Sequence, residues 1–320
     1  MTQDTSPPRS RPAPAVRARG LTKRYGSLLA VDRVDLDVAP GDVYGLLGPN
    51  GAGKTTVMRM LFGLIRPDAG EIAVDGRSVQ PRPDLALRRV AGFVETPRFY
   101  PYLTGRRNLE LLARLDGGVP TARIDEVLET VDLAGRQGSR VREYSYGMVQ
   151  RLGVAASLMR DPRLLVLDEP TNGLDPAGIR DMRALIQRLI DTGLTILLSS
   201  HQMVEVDEIC THVAIMRRGR LAYDGPITRL RELAGPATRL LETTDNHLAL
   251  ELCRVEPSAQ HPRLDGTHIT FDADDPTVER LSRDLVRAGL GIRRLHAPTS
   301  ALETLFFRLT DETADSEVAA

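Results

Sequence analysis

Apolar residues recur along this chain in three rhythms. Short uninterrupted runs, Val43-Tyr44-Gly45-Leu46-Leu47, Leu164-Leu165-Val166-Leu167 and Thr195 to Leu198, have the length and continuity of strands buried on both faces. Between them the spacing widens to three and four. Lys54 to Leu64 carries Val57, Met60, Leu61 and Leu64, and the segment after Asp175-Pro176 carries Ile179, Met182, Leu185, Ile186 and Leu189. Both predict amphipathic helices, the second with aspartate as cap and proline at its first position. A strict alternation, Val34, Leu36 and Val38 against Asp35 and Asp37, predicts a half-buried strand that Pro40-Gly41 turns towards the next. Strands separated by helices imply an α/β fold with a mostly parallel sheet, whose ligands sit beyond the strands' carboxyl ends.

The rhythm breaks twice. After short strand signals at Glu71 to Val74 and Val90 to Val94, flanking an Asp75-Gly76 turn, four of the thirteen Phe and Tyr residues crowd together as Phe93, Phe99, Tyr100 and Tyr102. Helical patterns follow at Leu109 to Leu115 and Ile124 to Leu133, with Thr121 as the expected cap of the second. Residues 95–163 therefore read as a helical insertion in the α/β core. From residue 229 to 310 the pattern predicts strands at Leu248 to Leu252 and His268 to Phe271, then helices at Val278 to Ala288 and Leu302 to Leu309. This is the texture of a small α+β accessory domain following a main domain at 16–228. The two ends, 1–15 and 311–320, offer little to bury and are expected to be disordered.

Composition narrows the class. Of 320 residues, 42% are hydrophobic and 27% charged, as in an ordinary globular protein. A net charge of −1 gives no general reason to expect nucleic acid as a partner. The two cysteines, Cys210 and Cys253, have neither disulfide-framework nor zinc spacing, which fits a reducing cytosol. No apolar run approaches the roughly 18 residues of a membrane span, and the start lacks a signal peptide's apolar core, so any membrane role is expected to come through a partner.

Chemistry concentrates at strand ends. Gly48-Pro49-Asn50-Gly51-Ala52-Gly53-Lys54-Thr55-Thr56 follows a buried strand, opens a helix and fits the phosphate-loop pattern G-x-x-x-x-G-K-[ST]. In that pattern backbone N–H groups wrap the phosphates, the lysine reaches the outer ones, and the hydroxyl holds Mg²⁺. Among 42 basic residues only Lys23 and Lys54 are lysine, so an arginine-rich chain keeps a flexible point charge here. Asp168, after four apolar residues, is the expected Mg²⁺ carboxylate, usually acting through water, and Glu169 beside it is placed to orient and deprotonate an attacking water.

Read together, Tyr144-Ser145-Tyr146-Gly147-Met148-Val149-Gln150-Arg151-Leu152, Leu167-Asp168-Glu169-Pro170-Thr171-Asn172-Gly173-Leu174-Asp175-Pro176 and Ser200-His201 resemble the signature, Walker B, D-loop and switch histidine of ABC ATPases. The resemblance covers about residues 16–228. It is nearest to the ATP-binding subunits of bacitracin- and drug-resistance exporters. It implies a P-loop NTPase core with ATP and Mg²⁺ as cofactors, Tyr25 stacking on adenine, and Ser145 and Gly147 clamping the γ-phosphate of a nucleotide held by an opposite subunit. Asp175 is expected across the dimer interface and His201 at the γ-phosphate. One phosphate loop per chain implies a homodimer or heterodimer of ATP-binding subunits enclosing two ATP, attached to a separate transmembrane permease at the cytoplasmic face of the membrane.

Two positions depart from the general pattern. Tyr146 stands where the signature has its first glycine, with Tyr144 in place of leucine. Glu95, in Phe93-Val94-Glu95-Thr96-Pro97, replaces the usual glutamine, and is expected to approach the Mg²⁺. The aromatic cluster after it has two readings, internal packing of the helical insertion or an apolar socket for the permease. The rival functional readings are a soluble ABC ATPase acting on ribosomes or nucleic acid, which lacks here a second cassette or a metal module, and a phosphate-loop kinase or GTPase, which lacks an N-K-x-D motif.

Overall fold

The computed structural model describes residues 13–311. Apart from residues 13–15 and 311, the two expected disordered ends lie outside the described residues. The chain divides between Pro226 and Ile227 into two compact units.

The first unit opens with an antiparallel ribbon, β1 (Val16–Tyr25) and β2 (Leu28–Val38), and passes into β3 (Val43–Leu47), which feeds helix α1 (Lys54–Leu61). Next come β4 (Ala69–Val74), β5 (Arg77–Ser78), the single-turn α2 (Pro83–Ala86) and β6 (Val90–Phe93). Three helices, α3 (Gly105–Leu115), α4 (Thr121–Thr130) and α5 (Tyr146–Leu158), form the insertion. Then β7 (Leu164–Leu167), α6 (Pro176–Asp191), β8 (Thr195–Ser200), α7 (Met203–Ile209), β9 (His212–Arg217) and β10 (Arg220–Pro226) complete the unit. A six-stranded sheet has the order β10-β9-β3-β8-β7-β6 and is parallel except for the β9/β10 pair. Its central strands β3, β7 and β8 are buried at every position, which is why they read as continuous apolar runs.

A second sheet, β2-β1-β4-β5, is wholly antiparallel. The alternation in β2 reports it: Val34, Leu36 and Val38 face inward while Arg33, Asp35 and Asp37 are exposed. One apolar cluster joins Val16, Leu21, Leu36 and Ile72 of this sheet to Val57, Met58 and Leu61 of α1 and to Tyr44, Leu46, Val166 and Leu197 of the parallel sheet. Helix α1 is therefore fixed by apolar packing to both sheets, and the loop before it inherits that rigidity.

Several boundaries differ from expectation. Helix α1 ends at Leu61 rather than Leu64: Gly63 takes φ +66° and Leu64 is left exposed. Thr121 is the first residue of α4, not its cap, and Pro120 holds the cap position without a side-chain hydrogen bond.

The second unit contains α8 (Ile227–Ala234), β11 (Ala237–Thr243), α9 (Asn246–Val255), β12 (Gln260–Asp265), β13 (His268–Ala273), α10 (Asp275–Arg287), β14 (Ile292–His296) and α11 (Ala301–Thr310). Its sheet is antiparallel in the order β12-β13-β11-β14. Leu248 to Leu252, expected as a strand, is the middle of α9. Leucines at 248, 250 and 252 imitate a period of two, but the buried residues are Ala249, Leu250 and Cys253, and the Asp245 carboxylate caps the helix by accepting from the N–H groups of His247 and Leu248.

Gly92 sets how closely β6 lies to β7. It takes φ +146°, and a Cβ there would stand 1.8 Å from the carbonyl oxygen of Val166, a backbone contact that cannot yield. Gly92→Ala is expected to cost about 3 kcal/mol or more, from backbone strain plus overpacking, read as a lowered urea midpoint at unchanged slope.

Candidate functional site

The phosphate loop leaves the carboxyl end of β3 and closes on Gly53, the cap residue of α1, which offers no side-chain acceptor to the first helical N–H groups. Those donors and the helix dipole face the loop's concave side, an arrangement that favours an anion. Two glycines are dictated by contact. A Cβ on Gly48 would meet the Met216 carbonyl oxygen at 2.5 Å, and one on Gly53 would meet that of Ala30 at 2.5 Å.

Lys54 is 5% exposed, and its ammonium group has three acceptors within reach. The carbonyl oxygens of Gly48 and Pro49 accept at 2.6 and 3.4 Å, and Glu169 Oε1 lies at 3.1 Å. Two carbonyl acceptors and one carboxylate counter-charge compensate the buried cation. Glu169 uses its other oxygen, Oε2, at 2.6 Å from His201 Nδ1. Lysine, glutamate and histidine, from α1, the end of β7 and the end of β8, form one continuous polar line.

Beside that line Asp168 is 4% exposed and receives three hydrogen bonds. Thr55 Oγ1 donates to Oδ2 at 3.1 Å, the Glu95 N–H to the same oxygen at 3.3 Å, and Ser199 Oγ to Oδ1 at 2.5 Å. Ser199 Oγ also accepts from the Glu169 N–H at 2.9 Å. Glu169 and Glu95 both take left-handed backbone, φ +49° and +66°, unusual for residues with a Cβ and typical of functional sites. A cavity of about 320 Å³ brings Tyr25 together with Pro49, Asn50, Gly51, Ala52, Lys54, Thr55, Thr56 and Glu169. Tyr25 is 44% exposed at its rim, with Lys23 Nζ 5.8 Å from the ring centroid.

Glu95, expected to approach the Mg²⁺, reaches the site here through its main chain. Its carboxylate pairs with Arg59 of α1 and is largely exposed, while its backbone N–H, not its side chain, reaches Asp168. The bond to the metal's expected carboxylate comes from the Glu95 main chain. The reason is the left-handed turn at Glu95, which sequence does not signal for glutamate.

Ser145, Gly147 and Asp175 are not in this cavity. They line another, of about 420 Å³, with Tyr146, Arg151, Gly173 and Leu174. Ser145 Oγ accepts from the Met148 N–H at 3.3 Å and caps α5, and Asp175 Oδ1 accepts from the Gly178 N–H at 2.9 Å and caps α6. Two helix N-termini thus open on one cavity, distinct from the one that the phosphate loop lines. Tyr144 packs inside the helical insertion against Gly105, its hydroxyl donating to the Arg136 carbonyl at 2.9 Å. Burial pushes its phenol up, keeping it a neutral donor.

The motif pattern misses two supports. Ser199 bridges Asp168 and Glu169, as above. Glu205 of α7 is 4% exposed and accepts from Thr171 Oγ1 at 2.6 Å and Ser200 Oγ at 2.9 Å, joining the segment after Glu169 to the residue before His201. Their signal in sequence is only a polar residue at the end of an otherwise apolar strand and an acidic one in a short amphipathic helix.

Among the described residues no group of three or more His, Cys, Asp and Glu side chains could hold a metal ion alone. The pair Thr55 and Asp168 nonetheless suits Mg²⁺, a hard cation that takes one or two protein oxygens and completes its shell with water and phosphate.

The ABC transporter family model matches residues 31–172. The bacitracin transport ATP-binding protein BcrA of Enterococcus faecalis is 36% identical over 299 residues, covering 92% of this chain and 96% of the relative. The daunorubicin/doxorubicin resistance ATP-binding protein DrrA of Streptomyces peucetius is 35% identical over 314 residues, covering 96% and 95%. A solved ATP-binding subunit of an ABC transporter superposes with a TM-score of 0.61 at 28% identity, covering 68% of this chain and 92% of its own.

Ser199→Ala is expected to leave one oxygen of buried Asp168 and the Glu169 N–H without their partner. The expected loss is about 1–3 kcal/mol in urea unfolding; an unchanged midpoint would show that this bridge does not support the site.

Proposed function

This chain belongs to the ABC transporter family of ATP-binding proteins, and on that premise we propose that it energises a membrane exporter by pairing head to tail with a second ATP-binding subunit around two ATP. It is the ATP-hydrolysing energy subunit of an exporter, and its partner in membrane association is a separate permease. No helix among the described residues is long and apolar enough to cross a membrane; peripheral attachment at the cytoplasmic face, through the permease, is part of the proposal. The cargo is a drug, an antibiotic or a similar amphipathic compound, by analogy with relatives named for bacitracin and daunorubicin. The soluble alternative, action on ribosomes or nucleic acid, draws no support from those relatives.

One observation carries the two-chain reading. Lys54, Thr55 and Glu169 line one cavity, with Asp168 bonded to Thr55 and His201 to Glu169 behind them, whereas Ser145, Gly147 and Asp175 line another on the same chain. A chain presenting two incomplete halves of a site is completed by a second chain turned about a two-fold axis. Each ATP would then lie between the phosphate loop of one subunit and the α5 N-terminus of the other, with Tyr25 against the adenine.

Within that site the chain's residues do little covalent chemistry and much positioning. Lys54 and the loop N–H groups neutralise phosphate charge. Thr55 and Asp168 would hold Mg²⁺, which when bound neutralises and orients the outer phosphate oxygens. Glu169 orients and deprotonates the attacking water, and His201, held at Glu169 Oε2, contacts the γ-phosphate. ATP binding closes the pair and moves the permease; hydrolysis reopens it.

The permease would seat in an apolar groove of about 460 Å³ lined by Phe62, Leu87, Phe93, Pro97, Phe99 and Leu112. Of the aromatic cluster, Phe93 and Phe99 line this groove, while Tyr100 and Tyr102 lie exposed with ring centroids 5.7 Å apart. The exposed tyrosines favour the socket reading over internal packing alone.

Glu169→Gln is expected to bind ATP, to elute as a stable dimer with ATP, and to hydrolyse it at least about a hundredfold more slowly. Rapid turnover by this variant would overturn the assignment of the base, and monomeric elution with ATP would overturn the sandwich. Glu95→Gln is expected to keep the wild-type Mg²⁺ requirement, because the Asp168 bond comes from the main chain; a shifted Mg²⁺ titration would return the carboxylate to the metal.

A further inference from the structure

Tyr146 stands where the signature resemblance expects glycine, and its side chain has a defined set of neighbours. Its hydroxyl lies 3.0 Å from Thr96 Oγ1 and accepts from Gln150 Nε2 at 3.2 Å. Gln150 is 2% exposed, so its amide is held in place one turn along α5. The ring lies against Gly173, where a built Cβ would meet it at 3.2 Å. One side chain thus touches the segment after β6, the helix that carries the signature, and the loop before α6.

Thr96 is the residue after Glu95, and the Glu95 N–H donates to Asp168 Oδ2, the oxygen that also accepts from Thr55. The contacts run without a gap from Thr55 through Asp168 and Glu95 to Thr96, and then through the tyrosine hydroxyl to the first turn of α5, which Ser145 caps. A glycine at 146 has no side chain with which to make the last link. The backbone strain at Glu95, φ +66°, fixes where Thr96 is presented.

We propose that Tyr146 is a positioning residue whose hydrogen bond to Thr96 makes the α5 N-terminus respond to the phosphate site of its own chain. In a pair of subunits that α5 N-terminus serves the other subunit's ATP, so occupancy of one site favours occupancy of the other. The coupling rests on the two-chain sandwich proposed above. It makes cooperativity a property of the Thr96–Tyr146 bond rather than of dimerisation alone, and spatial continuity has to be tested as energetic coupling.

The test measures initial ATPase rates of the full-length chain across ATP concentration, together with thermal midpoints. Wild type is expected to show a Hill coefficient above one. Tyr146→Phe, which keeps the ring on Gly173, and Thr96→Val, which removes the other hydroxyl, are each expected to bring the Hill coefficient to about one and to raise the half-saturating ATP about fivefold. Their thermal midpoints are expected to stay within about 2 °C of wild type. The double variant is expected to be no worse than either single one, and Thr96→Ser, which restores the hydroxyl, to recover the wild-type curve. Independent, multiplying effects of the two changes, or an unaltered Hill coefficient in Tyr146→Phe, would overturn the coupling while leaving the sandwich intact. Glu169→Gln that stays monomeric with ATP, beside hyperbolic wild-type kinetics, would overturn the sandwich and this inference with it.

Discussion

The Asp168 carboxylate is the constraint on which the site depends. A buried charge must be compensated by donors that arrive from somewhere, and here they arrive from three separate elements: Thr55 of α1, Ser199 of β8 and the main chain of Glu95 after β6. Satisfying one carboxylate therefore fixes the loop before α1 relative to two strands of the parallel sheet. Without those bonds the strand ladders and the apolar packing would still hold β6, β7, β8 and α1 together, but the side chains beyond the carboxyl ends of the strands would lose their common tie to α1.

Glu169 adds a second tier to that arrangement. Its left-handed backbone turns the carboxylate back towards Lys54 and His201, so that a cation, an anion and an imidazole share one line. Ser199 supports both acidic neighbours at once, and Glu205 ties the segments that carry Glu169 and His201. Glu169 and His201 are thus held from behind by buried polar side chains that do not line the cavity, which is how a site is kept within a fraction of an ångström of its working geometry.

The distribution of polar groups is also what the proposed pairing of two chains rests on. The first turn of α1 and the first turns of α5 and α6 open on different cavities. Each helix N-terminus can serve an anion or an interface, yet no single ligand within the chain reaches both. The departures at Tyr144 and Tyr146 flank the cap of α5, and only Tyr146 lines this second cavity. The first is absorbed by packing against Gly105, and the second reaches out to Thr96.

Much of this was legible from residue order. The continuous runs of β3, β7 and β8 announced strands buried on both faces, the capped and amphipathic α6 announced itself at Asp175-Pro176, and the phosphate-loop spacing placed Lys54 and Thr55 at a helix start, because those features depend on neighbours a few residues away. Where local signals conflict, sequence fails: leucines alternating through 248–252 say strand, while burial of Ala249, Leu250 and Cys253 against the sheet of the second unit makes a helix. Motif order singled out Asp168, Glu169 and His201 as expected site residues but could not say what holds them. Only the tertiary structure decided that the Glu95 main chain, not its carboxylate, serves Asp168, and that Ser199 bridges two acids. It also decided that the Tyr146 hydroxyl meets Thr96, since each is a contact between residues 30 or more positions apart, set by how strands and helices pack rather than by what lies beside them in the chain.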